Sequence, residues 1–281
     1  SKNVHKYFTD EDNYYLMDKE EIKRSSEWMG KGAESLGISG QVVKEQDFLN
    51  FLNGKISNDV QIGLMKDGSI KHRPATDLTF SAPKSVSVMA LVAGDKRLIE
   101  AHHKAVSVAL KKAESSYAEA RVTKNGETRY EKTDNLLIGA FQHTTSRELD
   151  PQLHTHGVVI NATQKSDGNW RALSSRAKAD TTNIDHGFRE NIYANQHYLG
   201  LIYMSELALE IKNLNYNIEV KDKYGNFEIK ELNSDYLDTM SKRKFQIDAL
   251  LKEKGFSGAK AAQNATLDSR QKKKRQILKH Y

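Results

Sequence analysis

His154 and His156 stand two residues apart in the stretch Pro151-Gln-Leu-His-Thr-His156. On a strand, that spacing sends both side chains out of the same face. His143 ends another stretch with strand character, Leu136 to His143. If the two strands pair through the connection containing Asp150-Pro151, three neutral imidazoles converge on one point. Such a triad suits a metal ion with positions left open for water or a phosphate oxygen. By ligand type it suits Zn²⁺, Mn²⁺, Ni²⁺ or Co²⁺, and phosphate oxygens from a substrate would move the choice toward Mg²⁺ or Mn²⁺. Surface histidines or hydrogen-bonded core histidines fit the same spacing, so the triad alone leaves the matter open.

Tyr7, Tyr14 and Tyr15 offer a second kind of chemistry. Their neighbours, Thr9, Asp10, Glu11, Asp12 and Asn13, are too polar for a purely core role. Partly exposed aromatics remain the simpler account of these three residues taken alone. A tyrosine oxygen can attack a phosphodiester, provided that its proton, with a pKa of about 10, is removed or the phosphate is polarised. Asp77 opens the alternating run Asp77-Leu-Thr-Phe80, where Leu78 and Phe80 face one way and Asp77 and Thr79 the other. It could accept a proton or orient a phenol there, and an ordinary exposed aspartate fits equally well.

The elements that must position these groups are partly legible. Phe48, Leu49 and Leu52 fit a short helix closed by Gly54. Ser81 and Pro83 offer an N-cap and a first helical residue. Apolar residues at Leu98, Ala105, Val106, Ala109, Leu110 and Ala113 predict a long amphipathic helix over Asp95 to Tyr117, with His102 and His103 on it. Asn125-Gly126 reads as a hairpin turn. Leu136 to His143 and Leu153 to Thr163 read as strands, and Asp167-Gly168 turns the chain toward Trp170 to Leu173. A helical stretch covers Ile184 to Asn213, a hairpin turns near Gly225-Asn226, and the tail from Ser234 is helical and basic. Hairpins in the middle with helices on both sides predict an α+β fold built on an antiparallel sheet.

Composition sets the outer bounds. The 281 residues include 38% hydrophobic and 28% charged residues and three prolines, which describes a globular, helix-rich protein. There is no cysteine, so disulfides and thiolate metal sites are excluded for this sequence. A net charge of +6 favours a polyanion such as nucleic acid as partner. Much of that charge lies in Lys272-Lys-Lys-Arg275, which a solvated face explains as well as DNA contact. No signal peptide or bilayer-length apolar run occurs, and a cytoplasmic setting is expected.

Several of these stretches together resemble one family. Asp77-Leu-Thr-Phe-Ser-Ala-Pro-Lys-Ser85, followed by Val86-Ser87, resembles a signature of the F-type (MobF) conjugative relaxases, the TraI/TrwC group. Pro151 to His156 with His143 resembles their three-histidine motif, and Tyr7 through Tyr15 their tyrosine motif. Trp28 to Gly40 and Asp95 to His102 add to the likeness, which runs from about Tyr7 to Glu210 and more weakly beyond. The resemblance implies a five-stranded antiparallel sheet of the HUH nuclease type, with helices packed on one side. It implies a catalytic core over 1–232 and a helical part over 233–281 that closes over DNA. His143, His154 and His156 would bind one divalent metal. Tyr7 would make the first attack, leaving a 3′-hydroxyl and a 5′-phosphotyrosine, and Asp77 would support it and the histidines. Tyr14 and Tyr15 are the candidates for a second strand transfer. The implied partners are single-stranded DNA beside a hairpin at an origin of transfer, accessory relaxosome proteins, a coupling protein and a type IV secretion system, with a monomer as the acting unit.

Three features depart from the family pattern. Phe8 follows Tyr7 where the family usually has a second tyrosine. Six residues precede Tyr7, where a strand is usual, so several residues are expected to be missing. No Walker motif occurs, so any helicase activity is expected outside this sequence. Competing readings are a rolling-circle replication initiator, a non-catalytic single-stranded DNA-binding module and a three-histidine zinc hydrolase. The basic tail disfavours the last.

Overall fold

A computed structural model describes residues 26–66, 69–146, 150–176 and 184–241. Tyr7, Tyr14, Tyr15, Phe8 and the Lys272–Arg275 run lie outside the described residues, as does most of 233–281.

The first strand is β1 (Ser26–Met29), followed by helices α1 (Lys31–Ser35) and α2 (Glu45–Leu52). A hairpin of β2 (Leu64–Lys66) and β3 (Ser69–Lys71) leads into β4 (Ala75–Ser81), then α3 (Lys84–Leu91) and the long α4 (Arg97–Tyr117). The hairpin β5 (Glu119–Lys124) and β6 (Glu127–Lys132) precedes β7 (Ile138–Thr145) and β8 (Pro151–Ile160), and β9 (Thr163–Gln164) and β10 (Trp170–Arg171) form a further hairpin. Last come α5 (Phe188–Ala194), α6 (Gln196–Asn213), the hairpin β11 (Ile218–Val220) and β12 (Phe227–Ile229), and α7 (Ser234–Thr239).

The predicted α+β fold is present. Among the described residues the central sheet is antiparallel with strand order β1-β7-β8-β4. That is four strands of the five the resemblance implies. Helices cover both faces rather than one. On one face α3, α4 and α6 bury Val86, Leu98, Val106, Leu110 and Leu207 against Leu78, Phe80, Leu153 and Val159. On the other, α1 and α2 bury Ala33, Phe48, Phe51 and Leu52 against Trp28, Phe141, Val158 and Ile160. The side chains in each core follow the period of two along β8, which sends residues 153 and 159 one way and 158 and 160 the other.

Close approach of α4 to the sheet depends on small residues. Ala101, Ala105, Ala109 and Ala113 line its buried face. Gly157 of β8 leaves room for Leu110, whose Cδ2 would stand 2.9 Å from any Cβ at that position. Glu114, also on α4, accepts backbone N–H groups of Lys31 at 2.9 Å and Leu136 at 2.8 Å. Its carboxylate thereby ties the start of α1 to the approach to β7.

The sequence-based boundaries hold with local corrections. Pro83 is the N-cap of α3, at φ −50° and ψ 153°, and not its first residue. The stretch from Ile184 to Asn213 is two helices, interrupted at Asn195. The hairpin turn at Asn125-Gly126 has positive φ at both residues, 53° and 81°, as the twist of paired strands requires. The four-residue strand β1 runs into the start of the glycine-rich Trp28 to Gly40 region and is too short for its alternation to be read from sequence.

Candidate metal centre

Pairing of the two central strands is what assembles the histidines. β7 and β8 align His143 opposite His154 and Phe141 opposite His156. On the other side, β8 aligns His156 with Thr79 and Val158 with Asp77. Period two then places Asp77, Thr79, His143, His154 and His156 on the α2 side of the sheet, beyond the end of the α2 core.

Ring centroids stand 5.4 Å apart for His143–His154, 5.5 Å for His143–His156 and 5.2 Å for His154–His156. Three imidazoles sharing one ion at about 2.1 Å would have centroids roughly 4.6–5.3 Å apart. The strands therefore hold the rings close to ligating distance. Among the described residues no three His, Asp or Glu side chains form a closed ion cage.

The hydrogen bonds orient two of the rings. His156 Nδ1 lies 3.0 Å from Asp77 Oδ2 and 3.2 Å from Oδ1, and 3.0 Å from Thr79 Oγ1. Thr79 Oγ1 lies 3.3 Å from Asp77 Oδ1. A proton on His156 Nδ1 donated to Asp77 leaves Nε2 as the acceptor nitrogen. His154 Nδ1 lies 3.0 Å from the carbonyl oxygen of Gln152, which likewise sets Nε2 as the ligating nitrogen. Burial pushes the His143 imidazole down to about 3, aided by the neighbouring His156 and His154. Burial also lowers His154, to about 4. Neutral imidazoles at ordinary pH are the form that binds metal. The donor set, three imidazoles with a carboxylate behind one of them, fits a divalent ion.

All three predicted histidines and Asp77 are thus brought together, whereas the tyrosines lie outside the described residues. Thr79 was missed as a member of the site, although its place on the Asp77 face was visible in the alternation. His102 was also missed. It is fully buried on α4, with Nε2 2.8 Å from Thr155 Oγ1 and Nδ1 2.8 Å from the hydroxyl of Tyr203. No local pattern signals such a contact between distant elements.

The family model described as TrwC relaxase matches residues 1–280. The multifunctional conjugation protein TraI of Escherichia coli is 46% identical over 223 residues, which are 79% of this chain and 12% of that protein. The chain thus spans about an eighth of the length of the curated relatives it matches. A metal-bound structure of the conjugative relaxase TrwC in complex with oriT DNA aligns with a TM-score of 0.77 and 40% identity, covering 96% of this chain and 86% of that one. TrwC complexed with a 27-mer DNA comprising the recognition hairpin and the cleavage site aligns with a TM-score of 0.75 and 40% identity, covering 89% and 87%. With its matched length and its histidine-bearing sheet, the chain belongs to the TrwC relaxase family.

Proposed function

We propose that this chain nicks one DNA strand at a plasmid origin of transfer and stays attached to it through a tyrosine. The observation that carries the reading is the meeting of His143, His154, His156 and Asp77 on one sheet face. Support comes from solved TrwC complexes with oriT DNA, one of them metal-bound.

In this reading Tyr7 supplies the nucleophile. Its oxygen forms a bond to the scissile phosphorus as the bond from phosphorus to the 3′ oxygen breaks. The phenol proton leaves to a base, the 3′ oxygen gains a proton, and the products are a 5′-phosphotyrosine and a 3′-hydroxyl. One phosphoester replaces another, so resealing needs no ATP. Asp77 holds the His156 ring and, by the family resemblance, supports the nucleophile. A divalent ion on the three histidines, Mg²⁺ or Mn²⁺ in use, would neutralise charge on the scissile phosphate. Tyr14 or Tyr15 serves the second transfer that ends conjugation.

The substrate is single-stranded DNA beside a hairpin, clasped by the part beyond residue 232. The protein acts as a monomer in the bacterial cytoplasm with accessory relaxosome proteins, a coupling protein and a type IV secretion system, and passes to the recipient with the DNA. Among the described residues no helix is long and apolar enough to cross a membrane.

The test is incubation of the chain with a supercoiled plasmid carrying its transfer origin and Mg²⁺ or Mn²⁺. A site-specific nick with protein bound covalently to the 5′ end is expected. Retention of DNA with no adduct would favour a binding module instead.

A further inference from the structure

On the α3, α4 and α6 side of the sheet, directly behind the histidines, lies a second polar cluster. Thr155 sits between His154 and His156, and its side chain leaves β8 on the opposite face. There Thr155 Oγ1 meets His102 Nε2 at 2.8 Å, and His102 Nδ1 meets the Tyr203 hydroxyl at 2.8 Å. His102 and Tyr203 are essentially inaccessible to solvent, and Thr155 is buried. One residue earlier in the strand than His154, the Leu153 N–H donates to Ser87 Oγ at 3.1 Å, and Ser87 Oγ–H donates to the Pro83 carbonyl at 3.1 Å.

The need for such anchors follows from the ladder. Between His143 and Thr145 the β7–β8 register shifts, so regular pairing fails beside His154. Strand β4 pairs as far as Ser81 opposite His154, with one further bond from the Ala82 N–H to the Leu153 carbonyl at 2.9 Å. His154 therefore stands at the end of the regular ladder, whereas His156 is paired on both sides, with Phe141 and Thr79. Buried hydrogen bonds from α3 and α4 grip residues 153 and 155 there, on either side of His154.

We propose that His102 is a positioning residue for the metal centre, acting through Thr155 to hold His154 and His156 at ligating geometry. The inference rests on the metal-site reading above. Loss of a partner bonded directly to a ligand typically weakens metal binding by about 10–100-fold, and His102 acts on Thr155, the strand residue between two such ligands.

Two substitutions at one position separate positioning from simple support of the core. In His102→Gln the terminal amide reaches the place of Nε2 and keeps the Thr155 contact. In His102→Asn the shorter amide reaches only the place of Nδ1 and keeps the Tyr203 contact. Co²⁺ serves as the probe, with affinity measured by calorimetry and ligand geometry by visible absorption on the 281-residue chain. His102→Gln should bind Co²⁺ within a few-fold of the unmodified chain, and His102→Asn about 10–100-fold more weakly. Thr155→Val, which keeps the shape and deletes the oxygen, should match His102→Asn and serves if either amide variant fails to fold. Equal affinities in the Gln and Asn variants, or full affinity in Thr155→Val, would overturn the positioning role. Co²⁺ binding that His154→Ala leaves unchanged would overturn the metal-site reading itself, and this proposal with it.

Discussion

Asp77 Oδ2 lies 3.0 Å from His156 Nδ1, and the two residues reach each other diagonally across the β4–β8 pair. Their contact joins two motifs that are far apart in the chain. It also sets Nε2 as the nitrogen of His156 that would ligate a metal ion. Asp77→Asn keeps the size but exchanges a charged acceptor for a neutral amide. We expect divalent-ion affinity to fall by roughly 10–100-fold, with nicking falling in parallel at limiting metal and partly restored by excess metal. A titration of nicking against Mn²⁺ checks this, and an unshifted midpoint would remove Asp77 from the metal centre.

Replacing His143, His154 or His156 singly by Ala should abolish nicking while leaving affinity for an origin oligonucleotide within a few-fold. Binding rests on phosphate and base contacts made elsewhere. Gel-shift and cleavage assays on the same preparations separate the two effects. Full cleavage by His154→Ala in excess chelator would exclude the metal mechanism.

Tyr7→Phe should eliminate the initial covalent adduct. Phenylalanine retains the ring and loses the attacking oxygen, so DNA affinity should change only by what one hydrogen bond contributes, about 0.5–1.5 kcal/mol. Phe8 cannot stand in for Tyr7, for the same reason. Peptide mapping of the trapped adduct from the unmodified chain decides the assignment. An adduct on Tyr14 or Tyr15 would move the first attack to that residue.

His103 on α4 is hydrogen-bonded to Glu27 of β1, and that bond raises the imidazole's pKa above its usual 6.5. A raised folded-state value means that the folded protein holds the proton more tightly than the unfolded chain. The stabilisation is complete below the unfolded pKa and disappears as pH rises through the folded value. Thermal melts between about pH 6 and 8 should show the midpoint declining as pH rises. His103→Gln should flatten that decline. The effect is expected to be small, because the pair is partly exposed to solvent. An unchanged pH slope in the variant would assign the dependence to other groups.

Much of the site was legible because strand periodicity is a local rule. The spacing of His154 and His156 determines that they share a face, and the alternation from Asp77 to Phe80 determines that Asp77 leaves the strand opposite Leu78 and Phe80. The amphipathic pattern of α4 likewise follows from its own residues. Pairing of β7 with β8 was only a supposition until the register aligned His143 with His154, since nothing local states which strands are neighbours. His102 shows the limit most clearly. In the sequence it is one more polar residue on a helix that packs mainly through alanine. Its neutral, buried state and its bond to Thr155 arise only because α4 is laid across β8 with Gly157 beneath Leu110. Local sequence thus set which faces the chemical groups occupy, by the geometry of the strand and the helix. Tertiary packing decided which faces meet, because burial and hydrogen bonding between distant segments depend on the whole chain.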